Sequence, residues 1–153
     1  MEPFVLATEP FVSLFGPIDT LFAPIIEYLL LALLVVNMAV RGWEYSQHVD
    51  QAEEGGADAI ERNAARVATN FLLVVGSFYY LTVHQHGGMV FSVLVLGLFL
   101  TDLFEFESRK VEARRGIEIE APKGAIAASF LALLYIGYQS LFFVIAPVWN
   151  AVV

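Results

Sequence analysis

The sequence predicts an all-α fold: an integral-membrane four-helix bundle with N- and C-termini outside and helical cytoplasmic overhangs. Three observations predict it. Hydrophobic residues form 58% of the 153-residue chain and collect in four runs, each near the ~20 residues that cross a hydrocarbon core of about 30 Å. All eight Lys and Arg residues (Arg41, Arg62, Arg66, Arg109, Lys110, Arg114, Arg115 and Lys123) fall in two stretches between those runs. Such an excess in short loops marks the cytoplasmic side. Glycine and proline punctuate the chain where the runs end, as helix boundaries require.

The elements follow in order. EPFV occurs at residues 2–5 and again at 9–12. With Pro3, Pro10 and Pro17, residues 1–19 cannot form a regular span. They read as an interfacial segment or as a chance echo in an apolar tail. The first span covers about residues 20–40, with Asp19 or Thr20 as its cap and Pro24 in its first turn. Its helix continues past Arg41 and Trp43 to about Glu54, where Gly55-Gly56 breaks it. Asp58 and Glu61 have capping-box spacing for a second helix, which carries Arg62 and Arg66 and spans residues 67–85. Gly87-Gly88 reads as a tight turn. The third span is 89–104. Its helix extends through Arg115, because Glu105 and Arg109 stand at i,i+4 and Glu112 and Arg115 at i,i+3. Gly116 stops it, and Pro122 opens the fourth helix, which spans 124–149. Loops 41–66 and 105–123 are then cytoplasmic, Trp43 marks the inner interface and Trp149 the outer one. Gly76, Gly97, Ala128, Ala132 and Gly137 are expected to let helices approach closely. The whole of 1–153 reads as a single membrane domain, in the cell (plasma) membrane.

Composition bounds the function. A net charge of −8 argues against a nucleic-acid partner, which needs a basic patch. Absence of cysteine excludes disulfides and thiolate chemistry. No basic n-region or small-residue cleavage site opens the chain, so no secretory signal is predicted. Six acids (Glu44, Asp50, Glu53, Glu54, Asp58 and Glu61) lie between Gly42 and Ala65, and lysine is scarce, two against six arginines. This acidic, lysine-poor loop composition resembles proteins of extreme halophiles, especially haloarchaea. The resemblance covers the loops and carries no functional motif.

Polar groups within spans are site candidates, because they are costly in hydrocarbon. Counted along each helix, they sort into two layers. The outer layer holds Glu27, Tyr79, Tyr80, His84, Tyr135, Tyr138 and Gln139. Glu27 there is either the centre of an ion, proton or ligand site, or a helix-dipole partner bonded to Gln139 or a tyrosine. The inner layer holds Asn37, Asn70, Thr101 and Asp102. It reads as structural hydrogen bonding across helices, with Asp102 paired to Arg109 or Arg66 or reaching water. Arg62, Arg66, Arg109, Arg114 and Arg115 are expected to form a cytoplasmic interaction surface.

The histidines do not make a metal site. His48 is separated from His84 and His86 by a membrane thickness, and no zinc-ligand spacing is present. Phosphate-loop, nucleophile-elbow and dinucleotide motifs are missing too. The expectation is therefore a non-catalytic accessory or scaffold subunit of a larger membrane assembly, or a homo-oligomer. It needs no cofactor or metal; its partners are the lipid bilayer and other membrane subunits or itself. A small ion or proton transporter using Glu27 is the alternative. A redox or cofactor-binding subunit using His84, His86 and the tyrosines is the third.

Overall fold

A computed structural model describes residues 16–153. The EPFV repeat and most of the expected interfacial segment lie outside the described residues. Among the described residues the fold is all-helical, and four helices are long and apolar enough to cross a membrane. They are α1 (Ile26–Gly55), α2 (Ala64–Val83), α3 (Gln85–Arg114) and α4 (Lys123–Val152). Each packs on the next in sequence, and α4 closes the ring against α1. This is the up-down arrangement that short connections favour.

Residues 16–22 are helical, and a turn at 23–25 separates them from α1. Pro24 thus sits in a break rather than in the first turn of a continuous helix. A 3-10 turn, Gly56–Ala59, follows α1, with Gly56 at φ 72°, a left-handed conformation that favours glycine. The expected capping box does not form. Asn63 caps α2 instead, its side chain accepting from the Arg66 backbone N–H at 3.1 Å, the bond an N-cap is selected to make. Gly116, at φ 69°, ends α3 as expected.

The α2–α3 connection differs from the expected glycine turn. His84 alone joins the two helices in an extended conformation, and Gly87 and Gly88 lie inside the first turn of α3. So short a link forces the helices together. A Cβ on Gly88 would stand 2.2 Å from Leu81 Cα, and one on Gly87 would stand 2.8 Å from the Tyr80 hydroxyl. Gly76 faces Leu30 at a similar distance, whereas Gly97 and Gly137 face open space. The expectation of close approach therefore holds for Gly76 and not for those two.

The core follows steps of three and four residues along each helix. On α1 the buried residues are Ile26, Leu30, Leu34, Asn37, Arg41, Glu44 and His48. One stripe thus runs from aliphatic to ionic without leaving the bundle interior. Leu73 and Tyr80 of α2, Phe91, Val95 and Leu98 of α3, and Ala132 and Ile136 of α4 complete the apolar part. A smaller cluster of Ile60, Phe106 and Ile119, joined by Tyr45 and Val49, folds both connecting loops onto α1 and α3. The Tyr45 hydroxyl donates to the Ile119 carbonyl at 3.1 Å. The overhangs are therefore packed on one another and covered by loops, not free stalks.

Candidate functional site

The ionic part of that stripe builds the most concentrated polar site among the described residues. Asp102 of α3 sits between Arg41 of α1 and Arg66 of α2. Arg41 Nη2 donates to both carboxylate oxygens at 3.1–3.2 Å, and Arg66 Nη2 pairs with Oδ2. Asn70 Nδ2 also donates to Oδ2, at 3.2 Å. Asn37 connects the arginines: its Oδ1 accepts from Arg66 at 2.9 Å and from Arg41 at 3.3 Å. Its amide nitrogen donates to Thr69 and Asn70, each at 2.8 Å. Arg41 reaches α4 through the Ser129 hydroxyl. One network therefore joins all four helices.

A second centre lies one to two turns further along. Glu44 receives Arg109 at 3.4 Å and the Asn63 backbone N–H at 3.4 Å, with Arg66 Nε at 3.6 Å. His48 is fully buried, yet both ring nitrogens are used. Nε2 lies 2.8 Å from the Glu61 carbonyl and Nδ1 lies 3.0 Å from Arg109 Nη1. A carbonyl can only accept and a guanidinium can only donate, so these contacts assign the neutral Nε2–H tautomer. Burial acts in the same direction, as the largest influence lowering the His48 pKa, outweighing the Glu61 carbonyl and Glu44, which raise it. His48 lies in the overhang, beyond the apolar part of α1.

The charge count is uneven. Arg41, Arg66 and Arg109 are each at most 4% exposed and meet two carboxylates, Glu44 and Asp102. One positive charge is left over. Glu105 is turned away, its Oε1 accepting the Ala125 backbone N–H at 3.0 Å at the start of α4. Arg41, Arg66 and Arg109 each keep an Nε without a hydrogen-bond acceptor. Such a cluster is weak as a source of net stability, but removing one member strands the others.

The tyrosine end of the bundle is sparser. Tyr80 is buried and donates to Glu27 at 3.0 Å, and His84 stands 3.8 Å from the same carboxylate. Tyr79 donates to Asp19 at 2.7 Å, and Gln139 donates to the Tyr135 hydroxyl at 3.3 Å. Glu27 is therefore held by Tyr80 and not by Gln139. Tyr138 is exposed and packs on Phe142.

Of the expected residues, Asn37, Asn70 and Asp102 meet in one network. Thr101 does not join it: its hydroxyl bonds the Gly97 carbonyl of its own helix at 2.7 Å. Arg66 and Arg109 are buried members of the cluster, which corrects their placement on an interaction surface. Arg62, Arg114 and Arg115 are exposed. Arg41, Glu44 and His48 were not expected here. The heptad continuation 34–37–41–44–48 is the signal that finds them, because it keeps these positions on the buried stripe of α1.

A family model described as Domain of unknown function (DUF7313) matches residues 9–153. The chain belongs to the DUF7313 family. No curated protein and no solved structure matches it. The DUF7313 match spans all four helices, so the ionic cluster and the tyrosine end both fall within the family's domain.

Proposed function

We propose that the chain is a non-catalytic integral-membrane accessory or scaffold subunit. It crosses the cell membrane four times, with both termini outside and the charged end of the bundle in the cytoplasm. It assembles with other membrane subunits or with itself. The observation that carries this reading is the apolar plug between the two polar ends. Leu34, Leu73, Val95, Leu98, Ala132 and Ile136 are each at most 2% exposed. Ser77 and Ser92 lie near this level, but both donate to backbone carbonyls. Glu27 and Asn37, the facing members of the two polar ends on α1, are 10 residues apart, about 15 Å of helix, and among the described residues no chain of hydrogen-bonded side chains joins the ends. A path for ions or protons within one bundle would need one.

Orientation follows from the basic residues, all of which belong to the charged end. That end displays Glu53, Glu54, Asp58, Glu107, Glu118 and Glu120 as exposed acids beside Arg62, Arg114 and Arg115. The surface offered to a partner is thus predominantly acidic, and we read it as fitted to a high-salt cytoplasm of haloarchaeal type. Proteoliposome flux tests the reading: purified protein should move no more protons or small ions than empty vesicles do. Flux that disappears in Glu27→Gln would favour the transporter alternative instead.

A further inference from the structure

We infer that the groove between α2 and α3 at the charged end is a binding site for one anionic membrane phospholipid. The inference builds on the membrane placement proposed above. The groove encloses about 410 Å³, within the 300–1,000 Å³ usual for ligand sites. Its two ends differ in chemistry. Phe71, Val74, Leu96 and Phe99 line the part nearer the bundle centre, and Arg62, Arg66, Asn70 and Asp102 line the part nearer the charged end. From Leu96 to Phe106 it follows ten residues of α3, or about 15 Å, half of a hydrocarbon core of about 30 Å. An acyl chain of one leaflet has that reach, and its headgroup would then lie beside the arginines.

Charge complementarity selects an anionic headgroup. Both carboxylates at the polar end, Glu44 and Asp102, are already engaged by Arg41, Arg66 and Arg109. Arg66 is 3% exposed and lines the groove, and its Nε makes no hydrogen bond, with Glu44 at 3.6 Å as its nearest carboxylate. Arg62 is exposed at the mouth, makes no ion pair among the described residues, and has its guanidinium 4.1 Å from the Phe106 ring centre. The Lys110 ammonium lies 4.8 Å from the same ring. Two cations are thus gathered on one aromatic residue at the headgroup end. Basic pockets between helices on the cytoplasmic side bind anionic headgroups, and a planar guanidinium suits a phosphate.

The test is native mass spectrometry of the full chain in neutral detergent micelles doped with phosphatidylglycerol or phosphatidylcholine. One phosphatidylglycerol per chain should survive conditions that strip phosphatidylcholine. Arg62→Gln should weaken its apparent affinity about fivefold, the share of one basic residue near an anionic surface. Leu96→Trp, which fills the apolar slot, should weaken it as well. Both positions are exposed, and circular dichroism checks that each variant stays helical; unchanged phosphatidylglycerol affinity in both helical variants would place the lipid elsewhere and overturn the inference. Equal retention of both lipids would overturn the inference. So would displacement by millimolar glycerol phosphate, which would mark a soluble-anion site, or a dimer mass lost in Leu96→Trp, which would mark a second copy as the occupant. The membrane placement itself is read separately, from whether the protein leaves membranes only with detergent.

Discussion

Replacing Asp102 with alanine is the sharpest perturbation of this bundle. Asp102 is the shared acceptor of Arg41 and Arg66, whose side chains are 2% and 4% exposed. In the native cluster three buried arginines face two carboxylates; without Asp102 three face one, and the excess charge doubles from one to two. Neither arginine can swing to water, since Asn37, Ser129 and Glu44 also hold them. Stranding a buried charge costs about 3–5 kcal/mol, against about 1 kcal/mol for an ordinary hydrogen bond between membrane helices. Asp102→Ala should therefore fall near the upper figure, as measured by reversible SDS unfolding in mixed micelles followed by circular dichroism. Asp102→Asn should fall between the two, because it keeps one acceptor and loses the charge. Arg41→Met, Arg66→Met and Asp102→Leu combined should recover most of the loss, since apolar residues of similar volume can replace a buried ion cluster. A loss below about 1 kcal/mol for Asp102→Ala, no larger than one hydrogen bond between membrane helices, would mean that the arginines are not stranded and that water already reaches the cluster.

Three further outcomes follow from the same geometry. His48 is neutral in the fold with a lowered pKa, so its contribution to stability is complete above the unfolded value of about 6.5 and is lost as pH falls through the native value. Unfolding midpoints taken between about pH 7.5 and about pH 5.5 should drop in the unaltered chain and drop less in His48→Gln; equal slopes would count against the tautomer assignment. Gly88→Ala puts a methyl group into the Leu81 backbone and should destabilise by at least about 1–3 kcal/mol. Gly97→Ala meets nothing and should be neutral or stabilising by up to about 1 kcal/mol, a contrast that thermal melts of the two variants will show. Glu27→Gln keeps an acceptor for the Tyr80 hydroxyl and should preserve both the fold and assembly; loss of assembly would mean that the Glu27 charge is used by a partner.

Much of the fold was legible because it depends on local signals. The apolar runs, the glycines at 55–56 and 116, and the basic partition each act within a few residues. The site was legible in part. Asn37, Asn70 and Asp102 stood out as polar groups at one depth, and they meet there. Arg66 was legible as a partner for Asp102, which it is, but it and Arg109 were also read as surface residues, and Arg41, Glu44 and His48 did not stand out, because charged residues beyond a span are ordinarily solvated. Here Ile60, Phe106 and Ile119 draw the loops over the overhangs and remove that water. That is a tertiary effect, visible in the sequence only as the heptad continuation through Arg41 and His48. The Gly87-Gly88 pair misled for a related reason: glycine there serves close helix contact, while the turn itself needs only His84.

As proposed above, this bundle is an interaction subunit and not a carrier. The mass of the particle extracted from its own membrane into lipid discs, at native salt, tests it most directly. The particle should hold more than one chain, or one chain with a stoichiometric protein partner. A particle of one chain and lipid alone would contradict it.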